Sequence, residues 1–156
     1  MRSHTALVVL LVLCWGCGPI GPIPGGRLSG ELGPRHVEDW SFAADEETAQ
    51  FETRPADPHS VNTWFVALDS NLYVPTSMIS GPNNPSGRSW VAHVAQDPMM
   101  RIRLADRIYE RVANRVSEAS EYAMAREALE SKYGIDPAER DPEREIWIFR
   151  LDSRTD

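Results

Sequence analysis

The chain has 156 residues, 42% hydrophobic and 25% charged, which suits one globular domain with a real core and leaves no room for two. Lys and Arg total 16 against 23 Asp and Glu, a formal charge of -7, and no basic run is present to meet a phosphate backbone. Nucleic acid is therefore not an expected partner.

Arg2 followed by the apolar run ALVVLLVLCWG has the layout of an export signal. The run falls short of the roughly 20 apolar residues that cross a bilayer as a helix. CWGC resembles a bacterial lipobox, in which small Gly16 precedes a cysteine that is lipidated and becomes the new N-terminus. The expected organisation is a signal peptide over 1–16, lipidation at Cys17, a stiff Gly/Pro-rich tether over 17–34 and one domain over 35–156. That organisation places the protein in a bacterial cell envelope, lipid-anchored to a membrane. Cys14 and Cys17 are the two cysteines, so no disulfide staples the domain, and their spacing lies in an apolar run rather than at a strand-to-helix junction, which argues against redox chemistry.

Further along, WSF and AQFETR read as strands around the acidic turn AADEET. VNTWFVAL and LYVPT flank DSN. A three-residue loop there sets Leu68 against Leu72, Val66 against Val74 and Trp64 against Thr76, with Asn62 on the same face. Phe65, Ala67 and Tyr73 take the opposite face, so the ribbon is apolar on both sides. SGPNNPSGR is a loop, and SWVAHVAQ a short helix closed by Asp97-Pro98. MMRIRLADRIYERVANRV is a second hairpin: a two-residue turn at Asp106-Arg107 pairs Arg103 with Glu110, whereas a three-residue loop pairs Arg101 with Arg111. The first register avoids like charges. Ser117 caps the helix EASEYAMAREALESKY and Gly134 follows its end, with Tyr122, Ala125, Leu129 and Tyr133 in one stripe. IWIFRL is a last strand, apolar on both faces. These elements predict a mainly β, α+β fold: a six-stranded antiparallel barrel with one short helix and one longer helix in the C-terminal half.

The order LDSNLYVPTS, a Gly/Asn/Pro loop, then SWVAHVAQDPMMRIRLADRIYERVANRV resembles the pyridoxamine-phosphate-oxidase-like, or flavin-binding, split-barrel superfamily, and within it the deazaflavin-dependent nitroreductase branch. Thr76 and Ser77, Trp90 and Asp97-Pro98 stand at that branch's places, with Arg54 and Ser60 as equivalents of its basic and small residues before the first hairpin. The resemblance implies a split β-barrel holding FMN or a deazaflavin coenzyme, often at a homodimer interface. It implies a cofactor site of Arg54, Ser60, Asn62, Trp64, Thr76, Ser77, Arg88 and Trp90.

Each of these residues also has a plainer role open to it. Arg54 and Arg88 suit a phosphate or serve as solvated charges; Trp64 and Trp90 suit a planar ring or the core. Adjacent His59 and Ser60 point to opposite faces of a strand and cannot act as base and nucleophile. The histidines show no paired metal spacing. Two functions follow as expectations: an oxidoreductase-like lipoprotein in which the cofactor supplies the chemistry, or a non-enzymatic relative that binds haem, another small aromatic ligand or no cofactor. The two-sided apolar strands VNTWFVAL and IWIFRL predict a homodimer.

Overall fold

A computed structural model describes residues 18–154; Cys14 and Cys17, and with them the export signal and the lipidation site, lie outside the described residues. The strands are β1 (Glu31–Leu32), β2 (Ala49–Thr53), β3 (His59–Thr63), β4 (Val66–Leu68), β5 (Asn71–Pro75), β6 (Met99–Leu104), β7 (Arg107–Arg115) and β8 (Ile148–Ser153), and the helices are α1 (Ser89–Gln96) and α2 (Ala119–Tyr133). One sheet runs in the order β3-β2-β6-β7-β8-β5-β4, antiparallel throughout, and β1 adds in parallel to the start of β7. The sheet has eight strands rather than six.

The consecutive strands β3 and β4 stand at opposite ends of that order, yet only Trp64 and Phe65 join them. Two residues span less than about 11 Å between their flanking neighbours, so the sheet must curl until its two edges approach. The edges do not pair, and the barrel is split there.

Inside the curl pack Phe51, Phe65, Leu72, Val74, Trp90, Ile102, Leu104, Phe149 and Leu151, all buried. Val66, Tyr73 and Ile148 point the other way and are covered by Ala125 and Leu129 of α2. The alternation along β5 and β8 thus divides between two cores. The outer apolar face, from which a second copy was expected, is covered within the chain by α2.

Three readings of the sequence are corrected. The β4–β5 hairpin turns on Asp69 and Ser70, with Asp69 at φ 53, and pairs Val66 with Tyr73 and Ala67 with Leu72. One residue fewer in the loop sends every side chain of β4 to the other face, and Trp64 does not oppose Thr76. The β6–β7 hairpin turns on Ala105 and Asp106, both at positive φ, so Arg101 faces Glu110 and Arg103 faces Ile108. This third register also keeps like charges apart. Finally, Ser41–Ala43 is a single 3-10 turn rather than a strand, because the Trp40 indole donates to the Ser70 carbonyl at 3.0 Å and pins the chain there.

Residues 18–28, expected as part of a tether, lie along the outer edge of β3. Gly25 and Ser60 exchange backbone hydrogen bonds at 2.8 and 2.9 Å, the Asn62 amide donates to the Gly21 carbonyl at 2.9 Å, and Leu28 is fully buried.

Candidate functional site

A cleft of about 390 Å³ opens beside this N-terminal strap, within the size range of small-molecule sites. His59, Val61 and Thr63 of β3 form one wall and Pro22 and Pro24 of the strap another; Thr76 to Ser80 and Arg88 to Trp90 close the far side. The far side exists because Pro75 ends β5 and the chain then loops to α1, with Thr76 still tied to Trp147 by hydrogen bonds at 2.9 and 3.0 Å. Asn84 caps the 3-10 turn Pro85–Gly87 by accepting from the Ser86 amide, which aims Arg88 back across the loop.

Arg88 is held from two directions. Its Nε donates to Ser77 Oγ at 2.8 Å and its Nη2 to the Ser80 carbonyl at 3.1 Å. Gly81, at φ 87, makes this approach possible, since a Cβ there would sit 2.2 Å from Nη2. The guanidinium is therefore fixed in place on the cleft wall with Nη1 left over.

The electrostatics of the lining depart from those of the whole chain. A protein of formal charge -7 puts no Asp or Glu in this lining, while Thr48, Thr63, Thr76, Ser77, Ser80 and Ser89 supply hydroxyls and Arg88 a cation. Such a surface receives an anion without like-charge repulsion. His59 adds a titratable group; its ring meets that of His93 edge-on at 5.1 Å, and His93 Nδ1 lies 2.9 Å from Thr53 Oγ1. Burial is the chief cause holding both imidazoles below the usual histidine range, with the nearby Arg54 cation adding to it, so both stay neutral near pH 7.

Six of the eight expected site residues meet in this cleft: Asn62, Trp64, Thr76, Ser77, Arg88 and Trp90. Two do not. Arg54 sits in the β2–β3 turn at φ 54 and pairs with Asp57 at 3.0 Å. Ser60 is fully buried at the edge of β3 that pairs with the strap, its hydroxyl without a partner. Of the aromatic pair, Trp90 is 4% exposed, with its ring 5.0 Å from Phe51 and 5.3 Å from Phe149. Its role is mainly core. Trp64 lies parallel to Tyr133 at 4.1 Å, so one face of its ring is taken and only the other is open to a ligand. The period of two places His59 with Val61 and Thr63 on this wall, whereas sequence reasoning missed the two prolines, since nothing local shows that the strap folds back.

No family model matches the sequence, and no curated protein matches it. Solved structures do match in fold. A structure described as an F420-H2-dependent reductase aligns with a TM-score of 0.56 at 18% identity, covering 69% of this chain and 95% of its own. A pyridoxamine 5'-phosphate oxidase candidate from Listeria innocua aligns at 0.53 and 13% identity, over 74% and 90% of the two chains. A third, described as a domain-swapped dimer, aligns at 0.57 and 19% identity, over 69% and 81%. At these identities the likeness establishes the fold: this chain is a split barrel of the kind seen in pyridoxamine-phosphate-oxidase-like and F420-dependent reductase structures.

Proposed function

We propose that the chain is a split-barrel lipoprotein that binds a planar, phosphate-bearing redox cofactor, FMN or a deazaflavin coenzyme, in the cleft between the strap and residues 76–90. The observation that carries this reading is the carboxylate-free, hydroxyl-rich lining with Arg88 already held by Ser77 and Ser80. The fold shared with an F420-H2-dependent reductase supports it.

The residues fit such a group. Arg88 Nη1 and the hydroxyls of Thr63 and Ser89 would hold the phosphate, and the open face of Trp64 would take a ring edge. A bound flavin-type ring supplies hydride or electron transfer by itself. The chain's own contribution is to orient the ring, exclude water from it and keep His59 neutral beside it. His59 and Met78 are lining side chains able to ligate haem iron, which is why haem belongs among the ligands to be tried. The substrate class lies with whatever donor and acceptor this cofactor meets.

Titration of the purified chain with FMN, a deazaflavin coenzyme and haem, followed by tryptophan fluorescence and ligand absorbance, tests the proposal. Saturable binding of FMN or deazaflavin that Arg88→Ala weakens supports it. Saturable binding of haem alone, lost in His59→Ala, replaces it with a haem-binding function, and no binding by any of the three removes the cofactor.

A further inference from the structure

The two most exposed large apolar side chains among the described residues are Ile20, at 70%, and Ile23, at 65%. They pair across a tight turn, with backbone hydrogen bonds of 3.1 and 3.0 Å, around Gly21 and Pro22. Pro22 lines the cleft on one side, and Ile79, 58% exposed, lines it on the other. Ile20 and Ile23 thus flank Pro22 of one cleft wall while Ile79 belongs to the other, so exposed isoleucines stand on both sides of the cleft, more than a single-residue exposure of the ordinary kind.

What covers these side chains is indicated by where the chain comes from. Residues 1–17, with the apolar run ALVVLLVLCWG, join the described structure at Gly18, which packs beside Gln50 of β2. From Cys17 to Ile20 the backbone reaches at most about 11 Å. A lipid carried on Cys17 would therefore be tethered within that distance of Ile20. Charge is compatible with this: a bacterial membrane surface is anionic and repels carboxylates, and the cleft lining carries none although the chain's formal charge is -7. We propose that the cleft mouth docks on a phospholipid bilayer, with Ile20, Ile23 and Ile79 entering the interface. The proposal rests on the membrane-anchored reading of the N-terminus, and the test separates the two.

Phe42 provides an internal control. It is 50% exposed, its ring is 5.6 Å from that of Trp40, and Trp40 is bonded to the turn preceding β5. The five residues of β5 then run about 17 Å to the cleft end. A photo-crosslinking amino acid is placed at position 79 or at position 42 of the full chain, in membranes of phosphatidylethanolamine and phosphatidylglycerol, and phospholipid adducts are counted by mass spectrometry. Docking gives at least tenfold more adduct from position 79, and Ile20→Ser with Ile23→Ser lowers that yield several-fold. Equal yields from 79 and 42, or crosslinks from 79 to residues 1–17 or to a second copy, overturn the proposal. Anchoring is read separately, from the partition of the unmodified chain between membrane and soluble fractions. A chain found soluble refutes the anchor, and the ratio of adducts after addition of vesicles of the same lipids still decides docking.

Discussion

The hydroxyl of Tyr133, the last residue of α2, lies 2.9 Å from both the amide nitrogen and the carbonyl oxygen of Phe65. Phe65 occupies the two-residue link where the barrel is split, so its backbone groups have no ladder partner, and its side chain is fully buried. The hydroxyl accepts from the amide; its single proton serves either the Phe65 carbonyl or that of Glu47, also at 2.9 Å. Burial raises the phenol above its ordinary range and keeps that proton in place. Tyr133→Phe keeps the stack on Trp64 but strands a buried amide, and is expected to cost about 1–3 kcal/mol in urea denaturation. An unchanged midpoint would show that the split is held by packing alone.

Arg88 and Arg54 are expected to separate cleanly. Loss of one charge-assisted hydrogen bond to a ligand phosphate, about 1.5–3 kcal/mol, corresponds to a roughly 10- to 150-fold rise in Kd. Arg88→Ala should show this for FMN, while Arg54→Ala, which removes an exposed pair with Asp57 in the β2–β3 turn, should change Kd by less than about twofold. Equal effects of the two substitutions would move the anion site towards the turn.

Acid should weaken the fold through His59 and His93. Both titrate in the folded chain below the ordinary histidine value of about 6.5, so in the window between the folded values and the ordinary one the unfolded chain binds more protons. Stability then rises with pH across that window, is fully present above it, and is lost as pH falls through the folded values. The groups facing the pair are Arg54, whose cation opposes protonation, and Asp57, which favours it. Thermal melts from pH 5 to 8 should lose part of their slope below pH 6.5 when both are replaced by Gln. A slope unchanged by the double substitution would assign acid sensitivity to other groups.

Metabolic fatty-acid labelling tests the anchor. Cys17→Ser should abolish the label and Cys14→Ser should leave it; label retained in the first variant means that Cys17 is not the lipidated residue.

A homodimer is expected in solution, and a solved structure of the same fold is described as a domain-swapped dimer. Because α2 already covers Val66, Tyr73 and Ile148, a dimer has to use another surface than the one the alternation suggested. Light scattering at micromolar concentration decides: a monomer mass removes the dimer.

The sequence was most legible where the signals are local. Ser89–Gln96 is the helix read from SWVAHVAQ, bounded by the Gly/Ser loop and by Asp97-Pro98. α2 ends at Gly134 as read, though its cap is Glu118, whose carboxylate accepts from the Ser120 and Glu121 amides, rather than Ser117. Strand register was misread because it hung on single residues adopting positive φ, Asp69 and Ala105 among them, which composition does not mark. Thr76, Ser77, Arg88 and Trp90 come together in one cleft because they flank one Gly/Pro loop. Arg54 and Ser60 stand apart from that cleft because Arg54 turns at positive φ towards Asp57 and Ser60 is covered by Gly25 of the strap, neither of which a local pattern marks. Buried Glu130, held by Arg126 at 2.9 Å and Arg140 at 2.6 Å, gave no signal, since a charged residue on a helix ordinarily reads as solvated.

The strap along β3 also bears on how the protein keeps from sticking to itself. A terminal strand offers unpaired amides and carbonyls that any extended chain can join, which is a route to aggregation. Here Gly25 takes up the pairing of Ser60, and Pro22 and Pro24, which lack amide protons, present an edge that cannot extend the ladder. Proteolysis after Leu28 would strip this cover and leave β3 as an adhesive strand. Removal of residues 1–16 alone would leave the cover whole, so maturation at Cys17 and protection of the edge are compatible in one N-terminal segment.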